Sequence, residues 1–333
     1  MPPQDRIDGA GRPGADGLGY IPWIVTARHG YCLRQIAADA GRCYRHYQNQ
    51  SGHQEIFMSP VFFAERPQTV DTAPTFDEPV SQLVTAAQIC SARFETWRQF
   101  FQWGFGLNRK LWEYLYILNA LDSYCGLGEG KTGIGFGVGR ERLVPLLASK
   151  GCRVTATDYV AEAEKSLGWE SRTINDLVDE QVCPKDTFLA NVSFRDVDMN
   201  AIPDDLRNGG ADFLWSCGSL EHIGGLQHGL DFIQSAMACL RPGGIAVHTT
   251  EFNIVSNERT LDSPSMSFYR RQDIEGLAHR LRADGHRLTL NFTKGTTVAD
   301  LHVDQEPFHY PLSINALVGE FVITSIGLII QKG

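Results

Sequence analysis

The chain has 333 residues, enough for one large domain or two modest ones. It is 43% hydrophobic and 21% charged, which excludes wholesale disorder and allows a sizeable core. The net charge of −9 excludes a general polyanion-binding surface, so nucleic acid is not an expected partner. Residues 1–19 are rich in Gly, Pro, Asp and Arg, lack an apolar h-region, and read as a flexible tail. Residues 20–79 hold His29, His46 and His53 and a Pro-spaced stretch from Pro60 to Pro79 that reads as loop. From Val80, apolar and aromatic residues recur three and four apart over 80–93, 92–103 and 108–124, which predicts helices. Trp97, Phe100, Phe101 and Trp103 crowd one of these segments, either as a packed helical layer or as a substrate wall.

After Gly130 the pattern alternates. Strands are predicted at 132–136, 152–157, 192–197, 211–217, 245–249, 287–292 and 321–331. Helices are predicted at 140–150, 161–167, 226–240 and 271–283. Such alternation predicts an α/β fold with crossover units and a mostly parallel sheet covered on both faces. No helix separates the last two strands, so they are expected to pair antiparallel at an edge. The eight cysteines include no C-x-x-C pair, which argues against a zinc ribbon and points to a reducing, cytoplasmic setting. The longest apolar stretch, 321–330, is far short of a membrane span, so no membrane partner is expected.

The strongest signal is Gly133-Ile134-Gly135-Phe136-Gly137-Val138-Gly139, where a strand hands over to a helix. Glycines there permit positive φ and close approach of backbone to a ligand. The helix start behind them offers free N–H groups and partial positive charge. Asp158 follows 19 residues beyond Gly139, at the end of the next strand, where a carboxylate can accept both hydroxyls of a ribose. A dinucleotide fingerprint would need glycine where Arg140 stands, and no Gly-Lys-Ser/Thr follows to make a P-loop.

These residues, together with Phe194 to Met199, Phe213 to Ile223 and Leu240-Arg241-Pro242-Gly243-Gly244, resemble the class I S-adenosylmethionine-dependent methyltransferases. The resemblance runs over about 130–250 by motif and to 331 by topology. It implies a Rossmann-like seven-stranded sheet with an antiparallel last strand in 130–333, preceded by an N-terminal helical cap in 20–129. It implies S-adenosyl-L-methionine as cofactor. The contacts it implies are Gly135, Phe136, Gly137 and Gly139 of the turn, Asp158 and Tyr159 after the second strand, and Asp198 and Met199 after the third. Cys217 on the fourth strand and Glu113 from the cap complete the set. The family's usual carboxylate two residues before the first turn glycine is missing, because that position is Gly133. The cofactor's ammonium is therefore expected on backbone carbonyls of the turn or of Cys217.

Methyl transfer to a hydroxyl needs an aligned acceptor and a base. His222 and His248, just past the ends of the fourth and fifth strands, are candidate bases, with Glu251 and Asn253 beside His248. His222 reads equally as part of a turn, and His248 as a strand residue. Asn253, Arg270 and His302 are candidate substrate contacts. His302, Asp304, Glu306 and His309, with His248 and Glu251, make a metal site or a polar pocket, and the pocket is preferred with no metal. The expected acceptor is a small molecule, foremost a sugar hydroxyl, since the sequence looks similar to methyltransferases of bacterial polysaccharide and glycan assembly. The alternatives are an NAD-type oxidoreductase and a cofactor-binding protein without catalysis. Homo-oligomerisation stays open.

Overall fold

The computed structural model describes residues 67–101, 106–159, 173–308 and 312–333. The expected tail, His29, His46, His53, Trp103, His309 and the helix at 161–167 lie outside them. The described strands are β1 (Ser81–Leu83), β2 (Leu107–Asn108), β3 (Thr132–Phe136), β4 (Arg153–Asp158), β5 (Val192–Asp196), β6 (Ala211–Cys217), β7 (Leu240–Asn253), β8 (Leu290–Asn291), β9 (Val303–Asp304), β10 (Leu312–Ser313), β11 (Asn315–Val318) and β12 (Phe321–Gln331). The helices are α1 (Ala86–Ile89), α2 (Ala92–Arg98), α3 (Arg109–Cys125), α4 (Leu143–Ser149), α5 (Lys185–Asn191), α6 (Leu226–Ala236), α7 (Arg271–Ala283) and α8 (Val298–Leu301).

The main sheet has ten strands in the order β5-β4-β3-β6-β7-β12-β1-β8, with β11 and β9 extending from β12. Strands β3 to β7 run parallel, and β12 runs antiparallel to β7 from Ile323↔Asn253 to Gln331↔Ile245. The mostly parallel α/β architecture is as expected, and β3, β6, α7 and β12 fall on their predicted spans. The strand count is not as expected: β1, β9 and β11 join the seven foreseen.

Two expectations need correction. Residues 80–93 do not form one helix, because Ser81–Leu83 is a strand ahead of α1. The last two predicted strands do not pair along their length, because β1 is inserted between β12 and β8. Only the bridge Arg287↔Gln331 joins them directly. The free edge of β12 offers backbone groups that β1 satisfies. The Ser81 hydroxyl donates to the Ile329 carbonyl at 3.2 Å and lies 2.9 Å from the Ile329 N–H. Pairing of buried backbone groups outweighs the weak local helix pattern here. The predicted Pro-Gly-Gly turn is likewise part of β7, as a bulge between the Ala211↔Leu240 and Phe213↔Ile245 pairs.

Strand alternation sorts the core into two layers. Phe213, Trp215, Ile245, Val247 and Ile329 pack beneath α3 and α4. Ile134, Phe136, Leu214, Ala246 and Leu328 face α6 and α7. Helix α3 starts at its N-cap Asn108, whose side chain accepts the Lys110 N–H at 2.8 Å, and it crosses β6, β7 and β12. Its Trp112 and Tyr116 are fully buried and stacked at 4.6 Å. Burial of each such ring contributes about 1.5–3 kcal/mol. The chain runs outward from β3 to β4 and β5, then crosses to β6 on the other side of β3. That reversal is a topological switch point, and ligands of open α/β sheets sit at the carboxyl ends of the strands flanking it.

Candidate functional site

The Gly-rich turn leaves β3 at this switch point. Gly137 and Gly139 have φ of 59° and 52°, so the turn needs them as glycine. The Val138 N–H donates to the Thr157 carbonyl at 3.1 Å, and the Thr157 hydroxyl donates to the Gly135 carbonyl at 2.9 Å, fixing the turn to β4. Across the crevice, the Ser219 hydroxyl lies 3.0 Å from the Gly137 carbonyl and 3.2 Å from that of Cys217, tying the turn to the end of β6. The other two glycines have a different reason. A Cβ at Gly133 would meet the Phe213 ring at 2.1 Å, and one at Gly135 the Trp215 ring at 2.4 Å. Gly133 therefore has no room for the carboxylate that the resemblance puts there. Phe136 also departs from expectation: its ring points into the α6 layer, 5.1 Å from Phe232, so only its backbone belongs to the turn.

The ends of β4 and β5 carry Asp158 and Asp196 side by side in register. The Asp158 carboxylate accepts the Tyr159 N–H at 3.0 Å, and Tyr159 is exposed. Asp198 caps its own turn by accepting the Asn200 N–H at 2.8 Å. Met199 is buried, with its sulfur 3.3 Å from a Cβ built at Gly137. Turn, carboxylates and Met199 thus line one continuous edge. Left-handed glycine backbone, a strand-end carboxylate and an apolar Met fit a ribosyl purine with an amino-acid tail. Trp215 donates its indole N–H to Glu141 at 2.7 Å just past the turn, and burial pushes the Glu141 carboxyl well up, against that hydrogen bond.

The ends of β6 and β7 hold a buried ionic cluster supplied largely by α3. Arg109 Nη1 lies 2.7 and 2.8 Å from the two oxygens of Glu251. Lys110 Nζ lies 2.8 Å from Glu251, 3.1 Å from Glu113 and 4.0 Å from Glu221. The Thr250 hydroxyl donates to Glu221 at 2.8 Å, and the Ser325 hydroxyl donates to Glu113. Burial pushes the Glu251 carboxyl up, but the Arg109 and Lys110 charges more than offset this and hold it at about 2. Burial raises the Glu221 carboxyl, with Lys110 opposing. Glu113 and Glu251 were legible in the sequence. Arg109, Lys110, Glu221 and Ser325 were missed. A signal did exist: two cations in the first turn of a helix oppose its dipole and ask for nearby carboxylates.

Other candidates lie apart from this cluster. His248 is fully buried, because strand alternation turns it away from Glu251, toward the α6 layer. Its Nδ1 is 2.8 Å from the Ser216 hydroxyl, its ring lies edge-on to Phe232, and burial holds it down at about 3. A sealed neutral ring does not reach the crevice, which corrects its reading as a base. His222 is exposed, with Nδ1 2.8 Å from the Ser265 carbonyl. Asn253 holds a turn, through Arg259, Thr260, Val255 and Ser256. Arg270 is the N-cap of α7 and pairs with Asp273 at 2.8 Å, and His302 caps α8 through its backbone. Neither touches the cluster. Among the described residues, no three His, Cys, Asp or Glu side chains gather as metal ligands would. No helix of the described residues is long and apolar enough to cross a membrane. Cys125, Cys152, Cys183, Cys217 and Cys239 are free thiols, whereas Cys90 is disulfide-bonded, which departs from a wholly reduced set.

Several solved structures are similar to the chain. The cyclase SpnF shares 16% identity over 49% of this chain and 56% of its own, with a TM-score of 0.36. Phosphoethanolamine N-methyltransferase 2 of Haemonchus contortus, solved with S-adenosyl-L-methionine, shares 16% over 57% and 40%, with a TM-score of 0.34. A sarcosine dimethylglycine methyltransferase homologue from Galdieria sulphuraria shares 13% over 57% and 73%, with a TM-score of 0.39. The chain thus spans about half the length of the first two. No curated protein matches it in sequence. Residues 134–248, which run from β3 through the Gly-rich turn to β7, match the family described as "Methyltransferase domain". That segment is therefore a methyltransferase domain, of the kind that uses S-adenosyl-L-methionine.

Proposed function

We propose that this protein is a class I methyltransferase that moves a methyl group from S-adenosyl-L-methionine to a small molecule, foremost to the hydroxyl of a sugar or glycan precursor. One observation carries the reading: the left-handed Gly137–Gly139 turn, the Asp158 carboxylate and the Cys217-Gly218 strand end converge at the switch point. When bound, the cofactor supplies a methyl carbon made electrophilic by its positively charged sulfur. The chain's own work is then to orient, to exclude water and to take a proton. In this reading Asp158 takes the ribose hydroxyls, and Asp198 and Met199 take the purine, which their strand-end positions support. Glu221 and Glu251 stand at the acceptor side. Glu221 is the better proton acceptor of the two, because Arg109 and Lys110 hold the Glu251 charge so firmly that its basicity is low. The charges of the cluster are largely compensated among themselves, which favours a neutral, hydroxyl-rich acceptor over an anion.

Calorimetry with S-adenosylhomocysteine and with NAD tests the cofactor. Binding of the first alone is expected, and binding of NAD alone would replace this reading with the oxidoreductase one. Methyl transfer from labelled cofactor to a panel of nucleotide sugars, free polyols and amines tests the acceptor. Transfer only to amines would overturn the hydroxyl assignment, and no transfer beside tight cofactor binding would favour a binding protein.

A further inference from the structure

Glu113 sits at the crevice in an unusual state. Its side chain is 1% exposed, yet its two oxygens are treated differently. Oε1 is held by the Ser325 hydroxyl, by Lys110 at 3.1 Å and by Arg109 at 3.5 Å. Every contact of Oε2 is long: Lys110 at 3.4 Å, the Thr249 hydroxyl at 3.5 Å and the Cys217 thiol at 3.8 Å. A desolvated carboxylate oxygen with only distant donors has unused capacity for a charge-assisted hydrogen bond.

That oxygen borders a defined space. Gly218, the residue after β6, has φ of 57°. A Cβ built on it would lie 3.4 Å from Glu113 Oε2, 3.5 Å from Lys110 Nζ and 3.6 Å from Glu221 Oε1. The space above Gly218 is therefore walled by Glu113 Oε2 and lies at the carboxyl end of β6, across from the Gly-rich turn. Glu221 Oε1 borders the same space slightly farther off, its carboxylate held by Thr250 through the other oxygen, and the remaining acceptors have closer partners. The Gly137 and Cys217 carbonyls share the Ser219 hydroxyl. Glu251 is pinned by two cations within 2.8 Å, and Glu141 is held by Trp215. An alkylammonium brought into this crevice out of water needs an anionic partner.

Resting on the methyltransferase reading, we propose that Glu113, delivered by α3, holds the α-ammonium of S-adenosylmethionine through Oε2, above Gly218. This replaces the expectation that backbone carbonyls alone hold it. It makes α3 a working part of the cofactor site, with Ser325 and Arg109 as positioning residues that fix Oε1 so that Oε2 faces the crevice.

The test uses the full chain and two ligands that share the nucleoside thioether, S-adenosylhomocysteine and 5′-methylthioadenosine, of which the second lacks the amino-acid end. Calorimetry of Glu113→Gln is expected to show at least a tenfold loss for S-adenosylhomocysteine and less than a twofold change for 5′-methylthioadenosine. Equal losses for both ligands would make Glu113 a structural residue and overturn the proposal, as would unchanged affinity for the first. Should Glu113→Gln fail to fold, Glu113→Asp, which withdraws the carboxylate by one methylene, carries the same differential. Lys110→Met removes the competing ammonium, so its affinity for S-adenosylhomocysteine is expected to hold or rise, and a tenfold fall would count against the proposal. A parent chain that binds neither ligand would overturn the methyltransferase reading itself. A parent that binds both, with Glu113→Gln unaffected, would overturn only the role of Glu113.

Discussion

The carboxyl edge of the sheet is built in two ways. At β4 and β5 the acidic groups are a buried Asp158 and an exposed Asp196 in register, and Asp198 is satisfied by its own local turn. At β6 and β7 they are sunk beneath α3 and paired with Arg109 and Lys110. On the proposed function, the first edge meets the cofactor's sugar and purine with groups held by short local contacts, Tyr159 N–H on Asp158 and Asn200 N–H on Asp198. The second is a prearranged network in a low-dielectric setting, where the loss of one member strands the others. On the proposed function, the difference teaches that one sheet edge can separate binding of a nucleoside from control of charge at the reacting end.

The sharpest way to break this contrast is Arg109→Met. It leaves Glu251 and Glu113 buried with one cation fewer, and a cost of about 3–5 kcal/mol is expected in urea unfolding. The double variant Arg109→Met, Glu251→Met is expected to recover most of it. A loss below ~1 kcal/mol would mean that the closed edge is not a network.

The pH profile sharpens it next. His248 lies on the opposite face of β7 and is held at about 3, against an ordinary value of 6.5. Its neutral form is the folded one, so stability is complete above 6.5 and is lost as pH falls from there toward 3. Between pH 6.5 and 5 this amounts to about 2 kcal/mol. His248→Gln is expected to flatten that limb in thermal melts, and an unchanged acid limb would refute the burial argument.

At the open edge, Asp158→Ala is expected to weaken S-adenosylhomocysteine binding by at least ~1.5 kcal/mol, the loss of a charge-assisted bond. Its ligand-free unfolding midpoint is expected to move much less than that of Arg109→Met. A cofactor affinity equal to the parent's would remove Asp158 from the ribose.

The last test is at Glu141, between the two edges. Its carboxyl is raised in the fold, so the unfolded chain ionises first and stability falls as pH rises above the ordinary 4.5. Glu141→Gln keeps an acceptor for the Trp215 indole and removes that loss. A gain in stability at pH 7.5 that disappears at pH 4 is expected in thermal melts, and a gain independent of pH would point to another cause.

Legibility in the sequence follows the same divide. The β3 turn, Asp158 and the Asp198-Met199 pair were visible because they are local: strand, glycines, helix and strand-end carboxylate recur at short spacing. The closed edge was only partly visible. Glu113 and Glu251 stood out, but their partners come from α3, β12 and the turn after β6, separated by up to more than 200 residues in the chain. His248 misled on both counts: it lies inside β7, which runs on to Asn253, and its side chain faces the α6 layer. Asn253 and Arg270 misled because polar residues at turns and helix starts satisfy their own backbone first.

By itself the sequence determined the alternation of β3 through β7, the left-handed glycine turn and the acidic strand ends, since periodicity and steric demands act within a few residues. Only the tertiary structure decided that β1 enters the sheet between β12 and β8, that Phe213 and Trp215 take the space above Gly133 and Gly135, and that Arg109 and Lys110 meet Glu251. Those outcomes depend on which backbone edge is left unpaired and which buried charge lacks a counter-charge. Both become defined only when distant segments are packed together and water is gone.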